Sequence, residues 1–392
     1  MPCKRVAKPL LFLLPALLAV FGSNSCGRVT SNSKNTVEGD SSAVFFAKLF
    51  DIKSDTLISY NTWEAELKKS EKYLLVPRDC VALLAREQMA IGVPIRSCIS
   101  MSTTYLPFLK LLGCMETVKG VSGTKFVYDA DYQAIIADGK IADVGPDTSP
   151  DYELILSIKP DVVLAYGIAG SDNSYISKLR ELGIKVVVVN DYLESTPIEK
   201  LEYLKFFALL TDKEALADSL FNDRYAEYES IKAYCSAYMD SYKADRVKAL
   251  VNIPFKDIWY LPSKESVLSA LVEDAGGEIL GAKSGGPFSS QESFERMYML
   301  AMEADVWLHQ NSIQSADELA AENKFFANIP AFKAGRLYNN TKRVTLRGGS
   351  DYWEGGAVEP AEILLDLVQI FHPAALPKEY EGRELKYYNK LK

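Results

Sequence analysis

The longest uninterrupted amphipathic pattern in the chain runs from residue 211 to residue 240, without glycine or proline. Its apolar positions, spaced by threes and fours, are Leu216, Leu220, Tyr228, Ile231, Cys235 and Tyr238. This spacing predicts one helix of roughly 28 residues, about 42 Å long. Thr211 and Glu214 have the spacing of a capping box, which places the start of the helix. The pattern favours a rigid rod between two halves; the alternative is a surface helix of one larger domain.

On both sides of this helix, short apolar strand patterns alternate with helix patterns. The predicted strands are 94–100, 141–145, 161–166, 185–190, 247–253, 305–309 and 336–339, and a connecting helix is predicted over 197–210. Such alternation is typical of parallel strands with right-handed crossovers. The expected fold class is α/β, with two Rossmann-like lobes of parallel sheet joined by one long rigid α-helix and a ligand cleft between the lobes.

The same patterns divide the chain into six segments. They are a signal peptide with Cys26 (1–26), a tether (27–42), an accessory β region (43–80), an N-terminal α/β lobe (81–195), connecting and backbone helices (196–244) and a C-terminal α/β lobe (245–392). The lobes also share a weak internal sequence similarity. IKPDVVLAYG at 158–167 and MEADVWLHQN at 302–311 both place an Asp-Val pair at the start of a strand.

The N-terminus carries a targeting signal. Lys4, Arg5 and Lys8 precede an apolar run over 10–21, which is typical of a secretory signal and short for a spanning helix. An anchoring helix is the alternative. Small residues lead to Cys26, which resembles the lipid-modified cysteine of bacterial lipoproteins. We therefore expect lipidation at Cys26 and a periplasmic protein anchored to a bacterial membrane.

Composition excludes several classes of function. A net charge of −8 without a basic block argues against nucleic acid as a partner. Two histidines and the lack of a CxxC pair argue against a metal site, and we expect no cofactor. The later cysteines, Cys80, Cys98, Cys114 and Cys235, fit disulfides or buried thiols equally well.

Six stretches taken in order resemble a known family. ISMSTTYLPFLKLLGCMETVKGVSG, VGPDTSPDYELILSIKPDVVLAYG and LRELGIKVVVVND resemble the first lobe of periplasmic substrate-binding proteins with a helical backbone. RVKALVNIPFKDIWYLP, EDAGGEIL and FERMYMLAMEADVWL resemble the second lobe. The resemblance covers roughly 81–372. Members of this family are the cobalamin-, siderophore- and haem-binding components of ABC importers.

The resemblance implies a monomer that captures a metal chelate and passes it to an ABC permease without covalent chemistry. Cobalamin or another corrinoid is the first choice, followed by a ferric siderophore or haem. Haem would favour a Tyr or His axial ligand. Neither histidine is an obvious choice, although His309 ends a strand and so could reach the cleft. The alternatives are a surface lipoprotein that binds a protein or glycan, and an enzyme that processes a metal chelate on the same fold.

Candidate ligand contacts follow from the rule that ligands bind at the carboxyl ends of parallel strands. They are Thr104, Tyr105, Tyr166, Asp191 and Tyr192 in the first lobe, and Phe255, Trp259, Tyr260, Asn311, Arg347, Asp351, Tyr352 and Trp353 in the second. The best of these stretches is RGGSDYWEGG at 347–356. Its glycines, aromatic rings and charges predict an exposed contact loop.

The resemblance also implies that one acidic residue on each lobe faces arginines of the permease. Glu153 and Glu295 match these positions at predicted helix starts, where the helix dipole stabilises a carboxylate. The alternative is that both residues only cap helices, and Glu292 competes with Glu295. We expect Glu202, on the connecting helix, to be a solvated charge.

Overall fold

The computed structural model describes residues 44–60, 70–84, 89–168 and 173–392. The predicted signal peptide, Cys26 and the whole of the predicted tether lie outside the described residues. Within the described ranges, none of the helices has the length and apolarity needed to cross a bilayer.

An accessory four-stranded sheet precedes the first lobe. Its strands, in spatial order, are β1 (Phe50–Lys53), β2 (Thr56–Tyr60), β3 (Ser70–Pro77) and β4 (Ala90–Val93). The first three pair antiparallel, whereas β4 pairs parallel to β3. The accessory region therefore extends beyond the expected boundary at residue 80.

The N-terminal lobe is a parallel sheet with helices between its strands. Its elements are β5 (Cys98–Ser100), α1 (Leu106–Leu111), β6 (Val118–Val121), α2 (Ala130–Ala137), β7 (Ala142–Asp143), α3 (Tyr152–Ile158), β8 (Val162–Ala165), α4 (Ser174–Glu181) and β9 (Val186–Val188). The strand order is β7-β6-β5-β8-β9, and every pairing is parallel.

Three helices join the lobes. They are α5 (Pro197–Leu201), α6 (Tyr203–Thr211) and α7 (Glu214–Tyr242). Helix α7 is a single element of 29 residues, about 43 Å long, which confirms the predicted rod.

The start of α7 differs from the prediction. Thr211 ends α6, and its hydroxyl donates to the carbonyl of Phe207 at 2.9 Å. Asp212 adopts a left-handed conformation between the two helices, and no side chain caps α7. The predicted capping box at Thr211 is therefore wrong, because α6 claims that residue.

The C-terminal lobe repeats the parallel architecture. Its elements are β10 (Val247–Val251), β11 (Ile258–Leu261), α8 (Val267–Asp274), β12 (Gly277–Ile279), β13 (Ser290–Ser293), α9 (Phe294–Ala301), β14 (Val306–Leu308), α10 (Ala316–Glu322), α11 (Pro330–Lys333), β15 (Leu337–Asn339), α12 (Pro360–Phe371) and β16 (Asn389–Lys390). The main sheet has the order β12-β10-β14-β15-β16, and only the edge strand β16 is antiparallel. Strands β11 and β13 form a separate antiparallel pair.

One hydrophobic core links the accessory sheet, both lobes and the joining helices. Every residue of α6 is buried, and α7 buries the face formed by Ala217, Phe221, Tyr228, Ile231 and Cys235. Leu216, assigned to this face from the sequence, is instead 41% exposed. Because the lobes share packed helices, relative motion of the lobes must disturb this core.

Two buried carboxylates fix the chain where it enters the accessory sheet. Glu202 is fully buried and accepts the backbone amides of Phe45, Phe46 and Ala47 at 2.7–2.9 Å. Lys205 lies 3.2 Å from the same carboxylate. The expectation that Glu202 is a solvated charge is therefore wrong.

Glu194 holds the next residues in the same way, and accepts the amides of Lys48 and Leu49 at 3.0 and 2.9 Å. These hydrogen bonds attach the start of the accessory sheet to the N-terminal lobe. Three of the cysteines, Cys98, Cys114 and Cys235, are free thiols, and all three are buried.

Candidate functional site

The loops that follow the parallel strands emerge at one edge of each lobe. In the N-terminal lobe they follow β5, β8 and β9, and in the C-terminal lobe they follow β10 and β14. In open α/β sheets, ligands bind in the crevice outside these carboxyl ends. The candidate site is therefore the cleft bordered by these loops.

Two tyrosines form the aromatic part of the N-terminal side. Tyr166 is half-buried and Tyr192 is 40% exposed, with 6.4 Å between their ring centroids. The Tyr166 hydroxyl donates to the carboxylate of Asp147 at 3.0 Å, and the Tyr192 hydroxyl donates to the carbonyl of Gly167. Burial, then the charge of Asp147, raises the pKa of Tyr166 well above its usual value. Both side chains therefore present neutral rings held in fixed orientations.

The other predicted residues of this lobe differ in exposure. Thr104 is partly exposed, and its hydroxyl lies 2.8 Å from that of Ser102. Tyr105 is buried, and its hydroxyl donates to the carbonyl of Val189 at 3.2 Å. Asp191 is also buried and pairs with Lys200 at 3.4 Å. Tyr105 and Asp191 support the rim from beneath and present almost no surface to a ligand.

On the C-terminal side, strand β11 carries two neighbouring aromatic residues that point to opposite faces of the strand. Tyr260 is 37% exposed, whereas Trp259 is fully buried and donates its indole N–H to the carbonyl of Val251 at 2.8 Å. Successive side chains of a strand point to opposite faces, so both residues cannot face the cleft. Phe255, in the turn before β11, is 66% exposed. The aromatic contacts available here are Phe255 and Tyr260, and Trp259 belongs to the core.

The segment 347–356 is only partly exposed, in contrast to the expected contact loop. Trp353 is 55% exposed and packs edge-on against the buried Tyr352, with ring centroids 4.8 Å apart. Asp351 is buried and accepts a hydrogen bond from Arg343 at 2.6 Å. Trp353 is therefore the ring of this segment that is available to a ligand.

Asn311 and Arg347 are both exposed. Asn311 follows β14 in a left-handed conformation. Arg347 lines a crevice of about 460 Å³ between the lobes, together with Thr124, Lys125 and Leu346 among others. The described lining of that crevice includes none of the exposed aromatic residues of the rim. Arg347 thus lies apart from them.

Both histidines are engaged within the C-terminal lobe. His309 is buried, with Nε2 2.7 Å from the Tyr388 hydroxyl, and burial lowers its pKa to about 3. His372 Nε2 lies 3.1 Å from the carbonyl of Gly276. Among the residues that the structure describes, no group of His, Cys, Asp and Glu has the arrangement of a metal site.

The two candidate docking residues lie in the first turns of α3 and α9. Glu153 and Glu295 are both exposed, and neither makes an ion pair with a described residue. Glu292 is held by Lys283 and, at 3.2 Å, by Arg296. Of the two neighbouring glutamates, Glu295 is therefore the one available to a partner.

A second crevice, of about 810 Å³, runs along α7 beside α5 and α8. Its lining cations are already paired, Lys232 with Asp274 at 3.1 Å and Arg246 with Glu273 at 3.8 Å. It lies away from the carboxyl ends of the sheets, so we assign the site to the cleft.

Sequence reasoning missed Asp147 and Glu354. Asp147 follows β7, so the rule that selected the other loops also covers it. Glu354 carries no local signal, because its hydrogen-bond partners are the backbone amides of Tyr128 and Asp129, more than 200 positions away.

Comparison with known proteins is consistent with this architecture. The family model of periplasmic binding proteins matches residues 99–344, more than half of the chain. Two relatives from Methanocaldococcus jannaschii are named uncharacterized lipoproteins. One is 26% identical over 392 residues, covering 94% of this chain and 90% of its own length. The other is 25% identical over 343 residues, covering 82% and 80%.

Solved structures share the fold at low identity. A periplasmic heme binding protein from Pseudomonas aeruginosa has a TM-score of 0.57 at 17% identity, covering 76% of this chain and 98% of its own. A periplasmic binding protein from Veillonella parvula has a TM-score of 0.56 at 14% identity, covering 82% and 99%. A possible iron-binding protein from Staphylococcus epidermidis has a TM-score of 0.54 at 20% identity, covering 71% and 98%. With the two-lobed parallel architecture, the family match shows that this chain belongs to the periplasmic binding protein family.

Proposed function

We propose that this protein is the substrate-binding component of an ABC importer and that it captures a metal chelate between its lobes. The observation that carries this proposal is the set of exposed and half-buried rings at the carboxyl ends of both sheets. They are Tyr166 and Tyr192 on one lobe, and Phe255, Tyr260 and Trp353 on the other. Aromatic faces on two opposed walls suit a broad, flat ligand.

A corrinoid such as cobalamin is the first choice of ligand. Its amide-rich periphery suits the partly exposed hydroxyl of Thr104 and the exposed amide of Asn311. An anionic siderophore would need cations at the rim. Arg343 is paired with Asp351, and Arg347 lines a separate crevice.

Haem is the next candidate, and the name of the Pseudomonas aeruginosa neighbour supports this class of ligand. Haem iron in proteins is held by His, Tyr, Met or Cys. Because both histidines are engaged in the C-terminal lobe, the axial ligand here would be Tyr166 or Tyr192. The iron would then have to displace the hydrogen bond to Asp147 or to Gly167.

Titration of the purified protein with cyanocobalamin, haemin and a ferric catecholate siderophore, followed by intrinsic Trp fluorescence, tests this function. We expect saturable binding of one chelate with a 1:1 stoichiometry. Failure of all three to bind, together with affinity for a glycan or a protein, would favour a surface lipoprotein. Turnover of a chelate would favour an enzyme.

Delivery to a permease is the second part of the proposal. Glu153 and Glu295 are exposed carboxylates without an ion-pair partner among the described residues, one on each lobe. A bidentate contact with an arginine is the partner chemistry that suits them. The names of the Methanocaldococcus jannaschii relatives support a lipid anchor at Cys26, which would hold the protein near the permease.

A further inference from the structure

A loop of the C-terminal lobe contacts the N-terminal lobe directly. This interlobe loop comprises residues 343–356, and an isolated bridge between Val344 and Ser350 closes its turn. The contacted segment is 126–129, which leads into α2. The loop therefore adds a contact between the lobes to the one made by the joining helices α5, α6 and α7.

Glu354 makes the polar part of this contact. Its side chain is 1% exposed, and its two carboxylate oxygens accept the amides of Tyr128 at 3.0 Å and Asp129 at 2.9 Å. Asp129 is itself the N-cap of α2 and pairs with Lys110 at 2.5 Å, so the amides belong to an anchored segment. Hydrogen bonds to a buried carboxylate are stronger than those between neutral groups. A carboxylate of one lobe is thus fixed to the backbone of the other.

Close packing adds to these hydrogen bonds. A Cβ atom on Gly349 would lie 2.6 Å from the carbonyl oxygen of Phe126, a distance that real Cβ atoms do not adopt. The Arg343 guanidinium lies 5.3 Å from the ring centroid of Tyr128, within the range of a cation–π contact. The interlobe loop therefore meets the N-terminal lobe at a distance that only glycine permits at position 349.

We propose that Glu354 is a positioning residue that holds the two lobes at a fixed separation and thereby sets the place of Trp353 in the cleft. Trp353 precedes Glu354 directly, and its ring packs on Tyr352 and His309. Parting the lobes along this side breaks both hydrogen bonds of Glu354. The effect on ligands rests on the function proposed above, whereas the contact between the lobes does not.

Hydrogen exchange at the amides of Tyr128 and Asp129 tests the contact without any ligand. Burial raises the pKa of Glu354 to about 7, so exchange is measured at pH 8, where the carboxylate is ionised. In Glu354→Ala we expect roughly tenfold or faster exchange at both amides, because their only described acceptors are removed. Gly349→Ala should act in the same direction through steric clash, with Glu354 intact.

Asp366→Asn is the matched control. Asp366 is a fully buried carboxylate that accepts the amides of Lys386, Tyr387 and Tyr388 within the C-terminal lobe. The Asp366→Asn substitution should speed exchange at 386–388 and leave the exchange rates of the Tyr128 and Asp129 amides unchanged. Unchanged exchange at these two amides in both Glu354→Ala and Gly349→Ala would overturn the proposal. Acceleration spread evenly over the C-terminal lobe would also overturn it, since it would show a role in folding alone.

The effect on ligands is measured as the dissociation rate of haemin or cyanocobalamin, whichever the wild type binds. We expect Glu354→Ala to release it several-fold faster, and Glu354→Gln, which keeps the size and one acceptor, to lie between. Faster amide exchange with an unchanged release rate would contradict the positioning of Trp353. If neither chelate binds the wild type, the release rate is measured with the ferric catecholate siderophore instead. If all three fail to bind, the proposed function fails, while the exchange result still decides the contact between the lobes.

Discussion

Asp161 and Asp305 occupy equivalent places in the two lobes. Asp161 precedes β8, and its carboxylate accepts the amide of Arg96 at 2.7 Å, next to the central strand β5. Asp305 precedes β14, and its carboxylate accepts the amide of Lys248 at 2.8 Å, in the neighbouring strand β10. The weak sequence similarity around these residues therefore reflects a shared contact: in each lobe, an aspartate before one strand accepts a backbone amide at or beside the neighbouring parallel strand.

The two aspartates should contribute unequally to stability. Asp161 also accepts two hydrogen bonds, at 2.7 and 3.0 Å, from Arg78, which directly follows strand β3 of the accessory sheet. Burial would raise the pKa of Asp161, but Arg78 and the amides of Arg96 and Ser97 outweigh it and hold the pKa below its usual range. We expect Asp161→Asn to lower the free energy of unfolding by about 2 kcal/mol and Asp305→Asn by about 1 kcal/mol.

Urea unfolding at pH 7 and at pH 3 measures this difference. A carboxylate with a lowered pKa stabilises the fold above its unfolded pKa, and this contribution is lost as the pH falls. The deficit of Asp161→Asn should therefore shrink at pH 3. Equal losses for both variants at pH 7 would show that the contact with Arg78 adds nothing.

Glu194 should give the opposite dependence on pH. Burial raises its pKa to about 8, against the lowering effect of the amides of Leu49 and Lys48. A carboxyl whose pKa is raised on folding stabilises the fold below its unfolded pKa, about 4.3, and this stability is lost as the pH rises through about 8. The wild type should therefore lose free energy of unfolding between pH 5 and pH 9, on the order of 2–4 kcal/mol of it through Glu194.

Glu194→Gln removes the titrating proton, so its free energy of unfolding should change less over the same range. Urea unfolding of both proteins at pH 5 and pH 9 gives the comparison. The same pH dependence in the variant and the wild type would rule out Glu194 as the titrating group.

If Glu153 and Glu295 dock the protein on its permease, their replacement should impair transport without affecting ligand binding. A double variant with glutamine at both Glu153 and Glu295 should keep chelate affinity within about twofold, because neither residue is among the predicted ligand contacts. The same variant should abolish uptake. Uptake and affinity are measured in cells and with purified protein, respectively. Glu303→Gln is the control, since Glu303 is exposed but pairs with Lys248 at 2.6 Å. Normal uptake by the double variant would contradict the proposal that these two glutamates dock the permease.

Trp353 and Trp259 form a matched pair of probes. Trp353 is 55% exposed at the rim, whereas Trp259 is fully buried. We expect Trp353→Phe to lose most of the fluorescence change on chelate binding, and to weaken affinity about tenfold because the phenyl ring offers a smaller aromatic contact than the indole. Trp259→Phe should destabilise the fold and retain the fluorescence change. Loss of the signal in Trp259→Phe alone would place the ligand elsewhere.

The sequence predicted the elements whose patterns are local. The spacing of apolar residues in α7, and the buried runs of β8, β9 and β10, identified a rod between two parallel lobes. The start of α7 was wrong, because Thr211 satisfies a carbonyl of α6 instead of an amide of α7. Whether Thr211 bonds to α6 or caps α7 depends on where α6 ends. The spacing of a capping box contains no information about the end of the preceding helix.

The sequence predicted which loops border the site, but not which of their side chains are accessible to a ligand. The carboxyl-end rule selected Tyr192 and Trp353, which are exposed, and Tyr166, which is half-buried. It also selected Tyr105, which is buried. The direction in which a side chain points depends on strand register and on packing between distant segments. Glu354 was invisible for the same reason, since only the folded chain brings it to Tyr128 and Asp129.

The most direct test of a ligand site between the lobes is a hydrogen-exchange footprint. The probe is whichever of cyanocobalamin, haemin and a ferric catecholate binds most tightly. Protection should appear in the loops of both lobes, at 101–105, 166–168, 190–193, 252–260 and 351–354. Protection confined to one lobe, or to the crevice along 225–240 of α7, would contradict a ligand held between the two sheets.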